Sequence, residues 1–219
     1  REAFHIATTG RPGAVLIDLP KDVTQGPCDA PFVEDLDLPG YTVPTHGDPD
    51  AIRQAAEALT SARRPILYVG QGAVISGAGK AVIRLAEKLK APIVNTLLGK
   101  GAADETHPLH LGMLGMHGTA YANKAVDACD CIMAIGARWD DRVTGKLDEF
   151  CLGATKIHID IDPSEFGKMV TPDVAIEGDA RLVLEELIPQ ISAADTDEWL
   201  SQCEGWRKRY PLKYAKQGG

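Results

Sequence analysis

Apolar residues recur along this chain in two rhythms. Strand-like runs, most of them unbroken apolar, occupy Pro65-Ile66-Leu67-Tyr68-Val69, Pro92-Ile93-Val94-Asn95, Cys131-Ile132-Met133-Ala134-Ile135, 155–161 and 174–176. Runs of that length predict strands buried on both faces, as in a parallel sheet covered on each side. The second rhythm is helical. Ile52, Ala55, Ala56 and Leu59 fall on one face of a helix that opens at Asp48-Pro49, with Asp as cap and Pro at the first helical position. Ala78 to Leu89 and Ala180 to Ile191 repeat that spacing. Upstream, the turn Thr9-Gly10-Arg11-Pro12-Gly13 leads into the apolar run 14–20, a further predicted strand.

Alternating strands and helices predict an α/β fold, a Rossmann-like parallel sheet of six strands with helices on both faces. The lone strand at 14–20 makes residues 1–25 a poor autonomous unit, so they are read as the end of a preceding domain. Pro, Gly and Asp punctuate 26–47, a linker; 48–192 form the main domain; 193–219 read as a connector toward a further domain. Arg1-Glu2-Ala3-Phe4 reads as mid-protein.

Composition narrows the function classes. The 219 residues are 44% hydrophobic and 25% charged, with no apolar run approaching the roughly 18 residues of a membrane span. A cytoplasmic protein with no membrane partner is expected. The net charge of −8 with scattered signs argues against a nucleic-acid partner, which needs a clustered basic face. Cys28, Cys129, Cys131, Cys151 and Cys203 show no zinc or CxxC spacing, and their odd number speaks against a disulfide framework. Buried, reduced thiols are expected.

Two runs stand out as chemistry rather than core: 111–119, carrying Leu114-Gly115-Met116-His117, and 136–146, carrying Gly136-Ala137-Arg138-Trp139-Asp140-Asp141-Arg142-Val143. The second follows a predicted strand, so its charges emerge where a parallel sheet offers its ligand crevice. They form either a solvated cluster or a recruited one. Gly70-Gln71-Gly72 joins a strand to a helix, as a tight turn or as a phosphate cradle; the strict GxGxxG fingerprint is not met. Thr96-Leu97-Leu98 closes another strand, either plainly or with amides offered to a ring edge. In His158-Ile159-Asp160-Ile161-Asp162 the polar residues share one side of the strand, where ribose or adenine recognition fits better than a metal; no metal site is expected.

Taken in order, Arg11-Pro12-Gly13, Val69-Gly70-Gln71-Gly72, Thr96-Leu97-Leu98-Gly99, the Met-His-Gly run, the Asp-Asp-Arg-Val-Thr-Gly run, His158 to Asp162 and Glu177-Gly178-Asp179 resemble the FAD-binding middle domain of the acetohydroxyacid (acetolactate) synthase family, thiamine-diphosphate enzymes of isoleucine and valine biosynthesis. The resemblance covers roughly residues 1–190, with Trp139 standing where the family pattern carries Phe. It implies that residues 1–25 end the pyrimidine-binding domain. It assigns Arg11, Gly70, Gln71, Gly72, Thr96, Leu97, Leu98, Leu114, Gly115, Met116, His117, Gly136, Ala137, Arg138, Asp140, Val143, Asp160, Ile161, Asp179 and Ala180 to FAD. The resemblance also places Met116 by the substrate channel and gives Arg142 the carboxylate of the second 2-ketoacid, which a bidentate guanidinium suits.

The parent reaction implied is transfer of a pyruvate-derived hydroxyethyl group to pyruvate or 2-ketobutyrate with loss of CO2. FAD performs no net redox in it. Thiamine diphosphate and Mg2+ are implied for the parent, but the glutamate and the GDG-plus-Asn motif that hold them are not found in this sequence, so the chain alone is expected to be inactive, with no catalytic residue of its own. A homodimer or homotetramer with a possible regulatory small subunit is implied. The alternatives are a sister enzyme of glyoxylate carboligase or pyruvate oxidase type, a FAD-binding electron-transfer module, and a nicotinamide-dependent enzyme.

Overall fold

The structure, a computed structural model, describes residues 1–31, 35–36 and 38–213, so parts of the 26–47 and 193–219 segments lie outside the described residues. The chain divides into two compact units, Arg1–Pro44 and Thr45–Gly219.

The first unit holds two short helices, α1 (Glu2–Thr8) and α2 (Lys21–Gln25). The Thr9 hydroxyl donates to the His5 carbonyl at 2.6 Å and meets the Tyr41 hydroxyl at 2.7 Å, while the His5 and Tyr41 rings meet edge-on at 5.7 Å. Contrary to the sequence pattern, residues 14–20 form no strand. A strand needs a neighbour for its N–H and C=O groups, and the described residues of this unit supply none.

The second unit begins with α3 (Pro49–Ser61), whose cap works as its sequence dictates: Asp48 accepts hydrogen bonds from the amides of Asp50 and Ala51 at 3.0 and 2.9 Å. There follow β1 (Pro65–Val69), α4 (Gln71–Ile75), α5 (Gly79–Leu89), β2 (Ile93–Asn95), β3 (His110–Met113), α6 (Ala120–Ala128), β4 (Cys131–Ile135), α7 (Asp141–Thr144), β5 (Thr155–Asp160), β6 (Val174–Glu177), α8 (Ala180–Leu187) and α9 (Asp197–Arg209). The six strands form one sheet in the order β3-β2-β1-β4-β5-β6, with every neighbouring pair parallel. Sequence and structure agree on a six-stranded α/β sheet, but the sequence reading located only five of its strands.

The sixth is β3, inside a run read from the sequence as excluded from the core. Leu111 and Leu114 are buried there, and Ala137 and Trp139 are buried in the second such run. Gly112, at φ +84°, and the register shift between Ile93 and Val94 break the alternation that would have marked β3 as a strand. Two further differences concern helices. The Gly-rich turn after β1 is itself a short helix, and residues 197–209, read as connector, form α9 with Trp199 and Cys203 buried.

Alternate residues of each strand feed separate cores. Leu67, Val69, Ile93, Met133, Ile157 and Ile176 pack against α3, α5 and α8; Ile66, Tyr68, Val94, Ile132 and Ala134 pack against α6 and α9. The Trp199 indole N–H donates to the Pro65 carbonyl at 3.1 Å, tying α9 to the start of β1.

Candidate functional site at the carboxyl edge of the sheet

Because all six strands are parallel, every strand ends at one edge. Pairing aligns Met113, Asn95, Val69, Ile135, Ile159 and Ile176 in a single row. One residue further along lie Leu114, Thr96, Gly70, Gly136, Asp160 and Glu177. All six belong to motifs singled out in the sequence, five of them as assigned site residues, and most other assigned residues follow in the same loops. Only Arg11, in the turn after α1, belongs to the first unit. Strand order reverses between β1 and β4, the position at which open α/β sheets bind their ligands.

At that switch point two loops meet backbone to backbone. Gly70 N–H donates to the Ile135 carbonyl at 3.0 Å and Gly72 N–H to the Gly136 carbonyl at 2.9 Å. A Cβ on Gly70 would lie 2.3 Å from the Gly136 oxygen, and one on Gly72 would lie 2.7 Å from the Gly136 Cα. These glycines are therefore required by loop-to-loop contact, and the Gly72 amide is committed within the fold. The same loop is held from below by Tyr68, whose hydroxyl donates to the Arg138 carbonyl at 2.8 Å and whose phenol is pushed up by burial and by nearby Asp140. Arg138 itself is exposed and forms no ion pair among the described residues, which leaves a cation beside the switch point. Asp140 is exposed at the start of α7 and Gln71 is exposed at the start of α4.

A second junction joins the loops after β3 and β4. Met116 N–H donates to the Arg142 carbonyl at 2.8 Å, so the two residues assigned to substrate are bonded through their backbones. Gly115, at φ +89°, is pressed so close that a Cβ would lie 2.4 Å from that carbonyl oxygen. Asn123 of α6 clamps the loop from behind: its amide oxygen accepts from Gly115 N–H at 2.7 Å and its NH2 donates to the Gly115 carbonyl at 3.0 Å. The sequence motifs do not include Asn123; an Asn inside a helix, where its amide competes with the backbone, was the available signal. The side chains of Met116, His117 and Arg142 are exposed, Arg142 lying 3.5 Å from Asp141. Val143 is half-buried behind them.

On the other flank Asp160 is nearly buried, with one oxygen accepting from Asp162 N–H at 3.0 Å, and Ile161 is half-buried beside it. Asp179 caps α8 by accepting from Leu182 N–H at 3.0 Å, and Ala180 is buried in the first turn. His158 lies wholly inside, enclosed by Trp139 and Phe166. Its Nε2 and the Asn95 Oδ1 are buried without a hydrogen-bond partner.

The edge combines exposed apolar side chains with charged ones. Leu97, Leu98 and Met116 are 68%, 61% and 66% exposed in the loops after the neighbouring strands β2 and β3, leaving apolar side chains in water. Arg138 places an exposed positive charge on this edge, and Asp160 a nearly buried carboxylate that can accept from hydroxyl or amine donors. A separate groove of about 1130 Å3, bordered by Val74, Lys80, Arg84, Ala102 and Arg181, contains none of these residues. No group of three or more metal-ligating side chains occurs among the described residues, and no described helix is long and apolar enough to cross a membrane.

Comparison with known proteins gives this edge a lineage. Residues 52–187 match the family described as "Thiamine pyrophosphate enzyme, central domain". The chain is 50% identical, over 92% of its length, to a probable acetolactate synthase large subunit of Methanocaldococcus jannaschii, covering 35% of that protein. It is 46% identical over 99% of its length to acetolactate synthase of Mycobacterium leprae (36% of that protein), and 47% identical over 96% to the large subunit of Cyanidium caldarium (38%). The chain thus spans about a third of the length of these relatives. With the family match running from α3 to α8 across all six parallel strands, this chain belongs to the thiamine pyrophosphate enzymes and carries their central domain.

Proposed function

We propose that the second unit is the FAD-binding central domain of an acetolactate synthase large subunit. The whole polypeptide would transfer a two-carbon unit from pyruvate to pyruvate or 2-ketobutyrate, with release of CO2. One observation carries the cofactor assignment: Leu97, Leu98 and Met116 are exposed in the loops that follow the neighbouring strands β2 and β3, at the carboxyl edge of the sheet. Leaving apolar side chains in water is unfavourable by about 25 cal/mol per Å2, and a stacked ring system relieves it. Arg138 faces the diphosphate; Asp160, Ile161, Asp179 and Ala180 serve the ribose and adenine end. Leu114, Gly115 and His117 flank the ring, and Arg11, in the first unit, is assigned to FAD by the resemblance alone. The flavin shapes the wall of the reaction chamber and contributes no net redox.

In the same reading Arg142 receives the carboxylate of the incoming ketoacid, and Met116 stands beside it. Asp141, at 3.5 Å, offsets part of that charge until the substrate arrives. Thiamine diphosphate and Mg2+ serve the parent reaction, and no residue of this chain is assigned to them. The chain by itself is expected to release no CO2 from pyruvate. The parent is a cytoplasmic homodimer or homotetramer, with or without a regulatory small subunit.

Flavin content tests the reading. The full-length protein should release FAD on denaturation, and this chain should bind FAD more weakly, because fewer contacts remain to offset the cost of ordering the ligand. A full-length protein that neither carries nor takes up FAD, or that prefers NAD, would overturn it.

A further inference from the structure

The deepest polar group behind the crevice is one that the proposed function leaves unused. Sheet pairing sets Tyr68, Ala134 and His158 side by side on neighbouring strands. The His158 ring is 0% exposed, with the Trp139 ring 5.7 Å away and the Phe166 ring 5.1 Å away, both edge-on. Into this apolar box Trp139 sends one polar contact: its indole Nε1 lies 3.3 Å from His158 Nδ1.

That contact has a single chemical solution. An indole nitrogen donates and never accepts, so Nδ1 must present its lone pair. The neutral ring then carries its proton on Nε2, since a proton on Nδ1 would confront the indole N–H. Nε2 has no hydrogen-bond partner, and its nearest acidic neighbour is Asp160 Oδ2 at 3.6 Å, just beyond hydrogen-bond range. Asp160 is anchored at its other oxygen by Asp162 N–H, and it stands in the row of residues that forms the crevice edge.

We infer that Trp139 and His158 are a positioning pair: Trp139 fixes the tautomer of His158 so that the ring offers Nε2–H to Asp160 and orients that carboxylate for a hydroxyl or amine donor of the bound ligand. The pair explains a buried donor otherwise left without an acceptor, which folded proteins rarely tolerate. It also gives the Trp at 139 a role that Phe cannot fill: Phe would keep the ring contacts with Tyr68 and Phe150 but bring no N–H. For the ligand being FAD, the inference rests on the function proposed above.

The test follows the ring proton and the ligand separately. With 15N-labelled histidine, the His158 ring of the wild-type chain should be protonated on Nε2. Trp139→Phe, and replacement of Trp139 by the isosteric benzothienylalanine that lacks the N–H, should both shift the proton toward Nδ1. FAD titration by fluorescence should show each variant binding about 3- to 10-fold more weakly, the range expected for one lost hydrogen bond. In an Asp160→Asn background the same changes should cost under about twofold, because the pair acts through Asp160. A wild-type ring protonated on Nδ1 would overturn the pair, as would equal losses of FAD affinity in both backgrounds, which a mere packing role would produce. Failure of the wild-type chain and the full-length protein to bind FAD would instead sink the flavin reading, leaving the tautomer result to judge the pair on its own.

Discussion

Individual residues at the carboxyl edge differ in what they owe to the fold and what they owe to a ligand. Gly115 is a fold residue: its φ of +89° and the Arg142 carbonyl, 2.4 Å from where a Cβ would stand, leave no room for a side chain. Gly115→Ala should therefore destabilise the chain by about 1–3 kcal/mol and weaken FAD binding, measurable by urea denaturation and fluorescence titration. An unchanged denaturation midpoint would show that the loop shifts freely. Arg142 is the opposite case, since its backbone carbonyl holds the loop while its side chain is exposed. In the full-length enzyme Arg142→Ala should remove a charge-assisted pair worth about 1.5–3 kcal/mol, or roughly 10- to 150-fold in kcat/KM. FAD content should stay normal and Lys should rescue only in part, because an ammonium lacks the bidentate fork. Product partitioning between acetohydroxyacid and released acetaldehyde or acetate reads this out; unchanged partitioning would return Arg142 to the surface. The sequence motifs point to both residues but cannot separate their roles. Nor do they reveal Asn123 or the tautomer of His158, which depend on contacts between segments 8 and 19 residues apart that follow no local rhythm.

At the scale of elements, legibility followed the length of uninterrupted pattern. β1 and β4 are apolar runs, β5 alternates isoleucines with polar residues, and α3 and α8 have both a stripe and an aspartate cap, so their sequences announce them. β3 is short and interrupted by Gly112, and its Leu111 is buried in the cluster that includes Ala122, Ala125 and Val126 of α6. The run at 14–20 errs the other way, having strand composition but no partner. α9 is the instructive miss. Its mean polarity suggests a connector, yet two residues four apart, Trp199 and Cys203, face the core, and Trp206 meets Trp199 edge-on at 5.8 Å. Burying one indole is worth as much as a long stripe of small residues. Trp199→Ala should accordingly cost about 3–5 kcal/mol, and truncation after residue 192 should cost more. Thermal unfolding of the two variants decides this. A truncated chain that melts at the wild-type temperature would make α9 an appendage rather than a part of the domain.

For the molecule as a whole, the buried titratable groups bound the pH range in which the fold is stable. Four of the five thiols are buried and all are free. Burial, with smaller contributions from Asp130 and Asp173, pushes the Cys131 thiol up to about 12. Burial raises Cys203 to about 12 as well, against the opposing effect of Arg207. Cys129 is also raised, by its hydrogen bond with Cys151 and then by burial. In the unfolded chain a thiol loses its proton near pH 8.5, whereas these folded thiols keep theirs. Between those values the folded state binds more protons than the unfolded one, so stability falls as pH rises. On the acid side burial lowers His110, so the unfolded chain takes up a proton near pH 6.5 that the native state resists, and stability falls as pH drops below that point. Urea midpoints should therefore form a plateau between about pH 6.5 and 8.5 and decline on both sides, with Cys131 and Cys203 each contributing about 1–2 kcal/mol of loss by pH 10. Replacing both by Ala should lower the plateau by opening small cavities yet flatten its alkaline limb. Thiol labelling supplies an independent check, since exposed Cys28 should react at once and the four buried thiols only as the chain unfolds. An alkaline limb of unchanged slope in the double variant would remove the thiols as its cause.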